Sequence, residues 1–220
     1  MVTKLYIVRH CQSAGNAGGR FQGRFDGPVN EQGEKQLELL SLRFRNEPLD
    51  AIYSSPLIRA YRTAEAINKY HGLPIHKDDG LLEIDVGEME NKLLTDIGRE
   101  YPQLAHDWDQ APDQCRFPGG ETMGQVYRRV QDTIRRIIGE NEGKTVAVAT
   151  HGGFIKNLNA WVEYGSIQGL RKGKVFGNTS VSTLLCEDGS LRWESTDDQS
   201  HLPEELRKAP MQYSFHTEAL

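Results

Sequence analysis

Short apolar segments alternate along this chain with stretches whose apolar residues recur at helical spacing. Residues 5–8, 51–53 and 145–149 are short runs dominated by apolar side chains. Such runs are typical of strands buried on both faces, as in parallel sheets covered by helices. Residues 181–186 and 191–194 predict a β-hairpin at one sheet edge. The chain is therefore predicted to have an α/β fold, a three-layer α/β/α sandwich whose sheet is mostly parallel with an antiparallel edge hairpin.

Four helices are predicted between these strands. The first begins near Glu31. The second begins at Ser54-Ser55-Pro56, where a capping serine precedes a proline at the first helical position. A long third helix covers residues 121–141, and a fourth follows Gly152-Gly153. Their apolar residues recur three and four positions apart, so each helix has one face that can pack on the sheet.

Composition restricts the classes of protein to which the chain can belong. Hydrophobic residues are 37% and charged residues 26% of the 220, which excludes intrinsic disorder. The net charge of −5 disfavours general nucleic-acid binding. No apolar run reaches about 18 residues and no signal-peptide pattern is present, so we expect a cytoplasmic protein that binds no membrane. Cys11, Cys115 and Cys186 match no zinc or redox motif and are expected to be reduced thiols.

One domain is predicted over residues 1–195, since the chain shows no repeat and no linker-like change in composition. Residues 196–220 are polar and irregular. They are predicted to form a C-terminal tail that either frays or lies over the domain, where it would cover the active site. The edge of the predicted hairpin offers a contact for a homodimer.

Polar, reactive residues follow three of the predicted strands. The first strand ends at Arg9-His10, the second leads into the helix that holds Arg59, and the third ends at His151-Gly152-Gly153. Because ligands of open α/β sheets bind at the carboxyl edge of the strands, we expect these residues to converge there.

These residue types suit a phosphoryl group. The planar guanidinium fork of arginine matches phosphate oxygens, and helix N-termini such as the one opened by Gly152-Gly153 attract anions. A neutral imidazole can attack phosphorus, so the two histidines would supply one nucleophile and one stabilising group. The leaving oxygen needs a proton, which Glu83 is predicted to supply. Spacing alone leaves Asp85 and Glu88 open as alternatives.

Residues 9–16, with the sequence Arg-His-Cys-Gln-Ser-Ala-Gly-Asn, resemble the signature of the histidine phosphatase superfamily, which includes the phosphoglycerate mutases. In that family the signature is usually Arg-His-Gly, then Thr or Ser, then Asn. Further segments resemble other family motifs in the same order: residues 20–28, 54–64, 118–122 and 150–153. The resemblance covers roughly residues 3–186, and its first, second and last motifs together are specific.

The resemblance implies a role for each matching residue. His10 would be the phosphorylated nucleophile and Glu83 the proton donor, in a reaction that needs neither metal nor other cofactor. Arg9, Arg59 and His151 would complete the phosphate pocket. The further phosphate-binding candidates are Asn16, Gln22, Gly23 and Gly152.

Three residues depart from the family pattern. Cys11 replaces the glycine that usually follows the nucleophile, and its larger side chain is expected either to crowd the turn or to make the pocket redox-sensitive. Met89 stands for a tryptophan and Asn91 for a glycine, at positions that are not expected to be catalytic.

The favoured interpretation is a metal-independent phosphatase acting on a small phosphorylated metabolite. The alternative is a cofactor-dependent phosphoglycerate mutase, but the Glu-Arg-His-Tyr-Gly segment of such mutases is absent from residues 83–87. A second alternative is a phospho-ligand sensor without turnover, which would have lost a reactive residue. The substrate is not identified. Arg171, Lys172 and Lys174 are either a solvated basic loop or a site for a second anionic group of the substrate.

Overall fold

A six-stranded sheet forms the centre of the protein in a computed structural model that describes residues 1–174 and 176–207. The strand order is β3-β2-β4-β1-β5-β6. The strands are β1 (Val2–Arg9), β2 (Ala51–Ser54), β3 (Ile75–Lys77), β4 (Thr145–Thr150), β5 (Val181–Glu187) and β6 (Ser190–Asp198).

Strands β1 to β4 are parallel, and β5 and β6 form the antiparallel part of the sheet. Strand β4 pairs in parallel with both β1 and β2, and β2 pairs in parallel with β3. Strand β5 is antiparallel to both β1 and β6. The predicted mostly parallel sheet with an antiparallel edge hairpin is confirmed.

Seven α-helices connect the strands within the described residues. They are α1 (Ala14–Ala17), α2 (Glu31–Phe44), α3 (Ile58–Asn68), α4 (Leu94–Glu100), α5 (Pro102–Gln110), α6 (Met123–Glu140) and α7 (Gly152–Tyr164). Short 3-10 helices lie at Asp79–Leu81, Gly87–Met89, Pro112–Gln114, Ile167–Lys172 and Glu204–Leu206. Helix α6 begins with a capping box in which Thr122 and Gln125 bond each other's backbone N–H groups, close to the predicted start.

The two faces of the sheet carry different cores. Leu5 and Ile7 face the helices α6 and α7, whereas Tyr6 and Val8 face α2 and α3. This alternation follows from the two-residue period of a strand. Because both faces are apolar, both must be covered by helices, and the predicted three-layer α/β/α sandwich is confirmed.

The predicted start of the second helix, at Ser54-Ser55-Pro56, was wrong. Helix α3 begins at Ile58 and its N-cap is Leu57, which makes no side-chain capping bond. Ser55 lies two residues before that N-cap, where its Oγ accepts from Leu57 N at 3.4 Å and lies 2.7 Å from Nε2 of His151. Arg59 nevertheless falls in the first turn, as predicted. The sequence interpretation also missed β3, α1, α4 and α5, which are short and weakly patterned.

Part of the predicted tail, residues 196–207, is described by the structure. Thr196 lies inside β6, so the first residues assigned to the tail belong to the sheet. After the strand, the backbone oxygen of Leu206 accepts a hydrogen bond from Gln36 on α2. The rest of the predicted tail, residues 208–220, lies outside the described residues, and a covering role at the active site stays a prediction.

Candidate active site

The register of the sheet brings the three polar strand ends to one edge. Arg9 pairs with Thr150 across β1 and β4, and Ser54 pairs with Ala149 across β2 and β4. The backbone N–H of His10 then donates to Thr150 O at 2.9 Å, one residue beyond the strand. The rings of His10 and His151 lie with their centroids 5.1 Å apart.

His10 is held in one orientation and is buried. Its Nδ1 lies 2.6 Å from the backbone oxygen of Cys11, which can only accept, so Nδ1 carries the hydrogen and the lone pair of the neutral ring is on Nε2. The pKa of His10 is lowered well below its ordinary value, first by burial and then by the charges of Arg59 and Arg9. The ring is therefore neutral at pH 7 and can act as a nucleophile at Nε2.

His151 is also neutral. Burial and then the charge of Arg59 lower its pKa well below the ordinary value. The N–H of Leu57 donates to Ser55 Oγ, which leaves the Ser55 hydroxyl hydrogen for Nε2 of His151. That bond places the ring hydrogen on Nδ1, which is buried and has no hydrogen-bond partner among the described residues.

Arg9 and Arg59 are fixed by backbone carbonyl oxygens. Arg59 is 1% exposed and donates to Phe25 O at 2.9 Å and to Gly23 O at 2.8 Å. Arg9 is 2% exposed and donates through one terminal nitrogen to Phe176 O. No ion pair joins Arg9 to a carboxylate in the described part of the chain, so its positive charge remains to attract an anion.

Three buried donors at this edge have no hydrogen-bond partner among residues 1–174 and 176–207. They are Arg9 Nε, Gln22 Nε2 and His151 Nδ1. Arg9 and Gln22 line one cavity of about 430 Å³. His151 is not part of that lining but immediately precedes Gly152, which is. Because buried donors are rarely left unsatisfied, this cluster indicates a ligand with several acceptor oxygens.

Of the three carboxylates left open by the sequence, only Glu83 lines this cavity. Its Oε2 accepts from the N–H of Gly153 at 3.0 Å and its Oε1 from Ile84 N at 2.9 Å. Asp85 instead accepts from Gly87 N and pairs with Arg24. Glu88 accepts from the Tyr101 hydroxyl. Glu83 thus lies beside the start of α7 in this cavity, which Asp109 on α5 also lines.

The segment that carries Glu83 is held by an arginine that the sequence interpretation missed. Arg129 on α6 donates to the backbone oxygens of Gly80, Leu82 and Glu83, at 2.8 to 3.3 Å. Its guanidinium also bonds both carboxylate oxygens of Glu121, at 2.9 and 2.8 Å. No local spacing signals this role, because the carbonyl groups lie more than 40 residues from Arg129.

The four predicted phosphate-binding residues each make a different contact at the site. The Asn16 amide oxygen accepts from Ser13 N in the capping box of α1. Gln22 lines the cavity, and the Ser13 hydroxyl donates to its Oε1. Gly23 supplies the carbonyl that holds Arg59. At Gly152, a Cβ would lie 3.3 Å from Arg9 Nε, so glycine permits the close approach of Arg9 to α7.

Asn178 is a further residue at the site that the sequence interpretation missed. Its side-chain amide donates to the backbone oxygen of His10 at 2.9 Å and lies 3.5 Å from the amide oxygen of Asn16. It therefore joins the loop before β5 to the nucleophile segment.

The departures from the family motif fit their surroundings. Cys11 is fully buried and its thiol donates to Arg59 O at 3.6 Å. Burial raises the pKa of Cys11 to about 12, so the thiol stays protonated and a reactive thiolate is disfavoured. Asn91 has a φ of 60°, the left-handed conformation that glycine adopts freely and asparagine tolerates. Met89 is fully buried in the core.

The predicted basic loop divides into three different environments. Arg171 forms a two-point ion pair with Asp113, at 2.7 and 3.1 Å, and lines the outer part of the cavity. Lys172 Nζ lies 5.6 Å from the centroid of the Tyr164 ring and does not line the cavity. Lys174 does line it. The proposed basic cluster is therefore not a single patch.

The described residues contain no group of three or more His, Cys, Asp or Glu side chains arranged to hold a metal ion. None of the described helices combines the length and the apolar character needed to cross a bilayer.

Comparison with known proteins places the chain in a family. The family model of the histidine phosphatase superfamily (branch 1) matches residues 5–199. Phosphoserine phosphatase 1 of Hydrogenobacter thermophilus is 37% identical over 150 residues, which are 68% of this chain and 71% of that protein. A metal-independent phosphoserine phosphatase of Arabidopsis thaliana is 30% identical over 204 residues, 91% of this chain and 84% of that protein.

Structural comparison agrees. The Bacillus stearothermophilus YhfR structure superposes with a TM-score of 0.86 at 31% identity, covering 90% of this chain and 98% of that one. Other relatives are named as phosphoglycerate mutases or as mutase-like. The match extends over the sheet and every strand end that carries the site, and the chain belongs to the histidine phosphatase superfamily.

Proposed function

We propose that this protein is a phosphatase that hydrolyses small phosphate monoesters through a phosphohistidine at His10. The observation that carries the proposal is the set of three unpartnered buried donors beside two neutral imidazoles. A phosphoryl group offers three acceptor oxygens and negative charge, which match these donors and the guanidinium groups of Arg9 and Arg59.

In the first step, Nε2 of His10 attacks phosphorus and the bond from phosphorus to the ester oxygen breaks. The leaving oxygen takes a proton from the carboxylic acid form of Glu83, which lies in the same cavity as Arg9. Nδ1–H of His151 and the two arginines donate to the equatorial oxygens, where charge is spread in the transition state.

In the second step, a water molecule attacks the phosphohistidine. The Glu83 carboxylate accepts a proton from that water, phosphate leaves, and His10 returns to its neutral form with Nδ1 still donating to Cys11 O. Glu83 thus acts first as an acid and then as a base, and the protein ends each turnover in its starting state.

The proposal requires no metal and no other cofactor. All of the charge stabilisation comes from guanidinium, imidazole and backbone N–H groups of the chain. The name of the Arabidopsis relative, a metal-independent phosphoserine phosphatase, supports this. A phosphorylated metabolite is the only partner required, and no nucleic acid is involved.

Phosphoglycerate mutase activity is the second candidate, favoured by the names of some relatives. A mutase shares the first step but transfers the phosphoryl group from His10 to a hydroxyl of the substrate. The absence of the mutase segment at residues 83–87 favours the phosphatase. Interconversion of 2- and 3-phosphoglycerate, measured beside phosphate release, separates the two.

Hydrolysis of para-nitrophenyl phosphate in the presence of EDTA tests the proposal. The wild-type protein should release nitrophenol, and His10→Ala should lower kcat by about a thousandfold or more, since the nucleophile is removed. His106→Ala is the matched control because the side chain of that histidine on α5 is 66% accessible and does not line the cavity. Unchanged activity in His10→Ala, or an activity that disappears in EDTA, would contradict the proposal. A wild-type protein that binds phosphate esters without turnover would instead be a sensor.

A further inference from the structure

The loop that holds the guanidinium of Arg59 is poor in backbone hydrogen bonds. Residues 22–27 lie outside the helices and strands and form no backbone–backbone hydrogen bond within residues 1–174 and 176–207. Two carbonyl oxygens of this loop, those of Gly23 and Phe25, accept from Arg59. Because the polar groups of a loop need partners, its position must be fixed mainly by side chains.

Glu90 supplies the largest part of that anchor. Its carboxylate accepts from three consecutive backbone N–H groups, those of Gly23 at 3.2 Å, Arg24 at 2.6 Å and Phe25 at 2.8 Å. Hydrogen bonds to an ionised acceptor are roughly twice as strong as those between neutral groups. At Gly23 a Cβ would lie too close to Glu90 Oε1, so glycine permits this approach.

Two other side chains hold the loop. Asp26 Oδ1 accepts from Ile58 N at 2.7 Å and so joins the loop to the first turn of α3. The Arg24 side chain lies 3.3 Å from Asp85 and 3.5 Å from Glu121. Arg24 is 39% exposed, and exposed ion pairs contribute little.

Glu90 is itself fixed by the backbone that follows it. Asn91 N donates to Phe21 O, and Phe21 N donates to Lys92 O, both at 2.9 Å. The left-handed conformation of Asn91 belongs to this turn. These bonds hold the segment after Glu90 against the residue that precedes the loop, and the carboxylate faces the three N–H groups.

One peptide group links Glu90 directly to Arg59. The peptide between Gly23 and Arg24 donates its N–H to Glu90 at 2.6 Å, and its carbonyl accepts from Arg59 at 2.8 Å. In a trans peptide these two groups point in opposite directions, so the carboxylate and the guanidinium lie on opposite sides of it. An anion at the N–H and a cation at the carbonyl polarise the peptide in the same sense, so each bond strengthens the other.

We propose that Glu90 is a positioning residue for the phosphate pocket, which fixes the peptide group between Gly23 and Arg24 and, through it, the guanidinium of Arg59. Both carboxylate oxygens of Glu90 are used by the loop, so it acts through Arg59 and not by contact with the substrate. The inference rests on the part of the proposed function in which Arg59 binds the phosphoryl group.

A double-mutant cycle between Glu90 and Arg59 tests the inference. Two quantities are measured, kcat/KM for para-nitrophenyl phosphate and, by calorimetry, the Kd for inorganic phosphate, which requires no turnover. Glu90→Ala should lower kcat/KM and raise the Kd, each by about tenfold or more, as expected when charged hydrogen bonds are lost. In the Arg59→Gln background the same substitution should change either quantity by less than about twofold, because the group that Glu90 positions is absent.

Glu90→Gln keeps the size of the side chain and one acceptor oxygen, so its values should lie between those of the wild type and Glu90→Ala. It carries the same cycle if the alanine variant does not fold. Glu100→Ala is the matched control, since that carboxylate forms an exposed ion pair with Lys92, and it should leave both quantities within about twofold.

An equal loss from the Glu90 substitution with and without Arg59 would overturn the inference, because Glu90 would then stabilise the fold in general. Unchanged values in Glu90→Ala would overturn it as well. A wild-type protein that binds phosphate but is inert towards para-nitrophenyl phosphate would contradict the proposed function, and the cycle in Kd would still decide the inference.

Discussion

At the scale of single residues, the site depends on two imidazoles kept neutral and kept in fixed tautomers. Burial and the neighbouring guanidinium groups disfavour protonation of both rings. The carbonyl of Cys11 fixes the hydrogen of His10 on Nδ1, and the hydroxyl of Ser55 fixes that of His151. Each ring therefore presents the nitrogen that the proposed chemistry needs, a lone pair in one case and a donor in the other.

Removal of the Ser55 hydroxyl tests this assignment. Ser55→Ala should lower kcat on para-nitrophenyl phosphate about tenfold, since the buried Nε2 of His151 loses its partner and the ring tautomer is no longer fixed. The control is Ser41→Ala, a buried serine on α2 whose hydroxyl donates to the carbonyl of Glu38. A kcat that falls no further in Ser55→Ala than in Ser41→Ala would show that the hydroxyl does not position His151.

The residues that sequence could predict are those adjacent to strand ends. Arg9, His10 and His151 follow apolar runs directly, so the order of the sheet brings them together. Ser55 could not be recognised in the same way, because its partner His151 is 96 residues distant in the sequence.

At the scale of elements, the N-terminus of α7 and the segment bearing Glu83 form one unit. The N–H of Gly153 donates to the Glu83 carboxylate, and Arg129 donates to the backbone oxygens of Leu82 and of Glu83 itself. The hydrogen bond from the start of α7 fixes the position of the Glu83 carboxyl group. The resulting position of Glu83 depends on glycine at residue 153, where a Cβ would lie too close to Glu83 Oε1.

Gly153→Ala tests this unit. The added methyl group should displace the Glu83 carboxylate and lower kcat by about a hundredfold, as expected when a general acid is misplaced. Gly139→Ala on α6 is the matched control, since a Cβ there meets nothing within 4 Å. It should leave kcat unchanged and raise the free energy of unfolding by about 0.5 to 1 kcal/mol. Equal kcat values in the two variants would argue against the role of Gly153.

The helices show where sequence reasoning succeeds at this scale. The long amphipathic α6 was predicted within two residues of its start, because its capping box and apolar stripe are local signals. The start of α3 was misplaced because Ser55-Pro56 has the local pattern of a helix start, whereas the helix begins at Ile58 and the Ser55 hydroxyl contacts His151, which is 96 residues away. Strand β3, with three residues, carries too little pattern to be recognised.

At the scale of the whole molecule, buried neutral histidines couple folding to pH. Besides His10 and His151, His201 has its pKa lowered to about 4, by burial and then by the charge of Arg43. The unfolded chain binds protons at these groups near pH 6.5 and the folded chain does not. Their stabilisation is therefore complete above about pH 6.5, and it is lost as the pH falls from there towards the folded-state pKa values.

Urea unfolding at about pH 7.5 and about pH 5 checks this coupling. The free energy of unfolding should fall at the lower pH, by up to about 2 kcal/mol for each of His10 and His151 and by less for the partly exposed His201. His201→Asn should reduce the difference between the two pH values without removing it. A stability independent of pH over this range would contradict the neutral state assigned to the two site histidines.

The overall architecture was the most predictable level. The apolar strands predict a sheet that is buried on both faces, and the helical spacing predicts the helices that cover it. The domain boundary at residues 195 and 196, the tail over the site and the homodimer through the hairpin edge stay predictions. Strand β6 is the edge of the sheet among the described residues, and Thr196 lies within it. Contacts between copies of the chain leave no periodic signal in one sequence.

Identification of the phosphorylated residue tests the central claim most directly. The Glu83→Gln variant should be used with para-nitrophenyl phosphate, whose leaving group needs little help from an acid, so that the first step proceeds while hydrolysis is slowed. After an alkaline quench and digestion, mass spectrometry should find one phosphoryl group on the peptide containing His10, and on that residue alone. Turnover with His10 unmodified, or a phosphoryl group on another residue, would contradict the account.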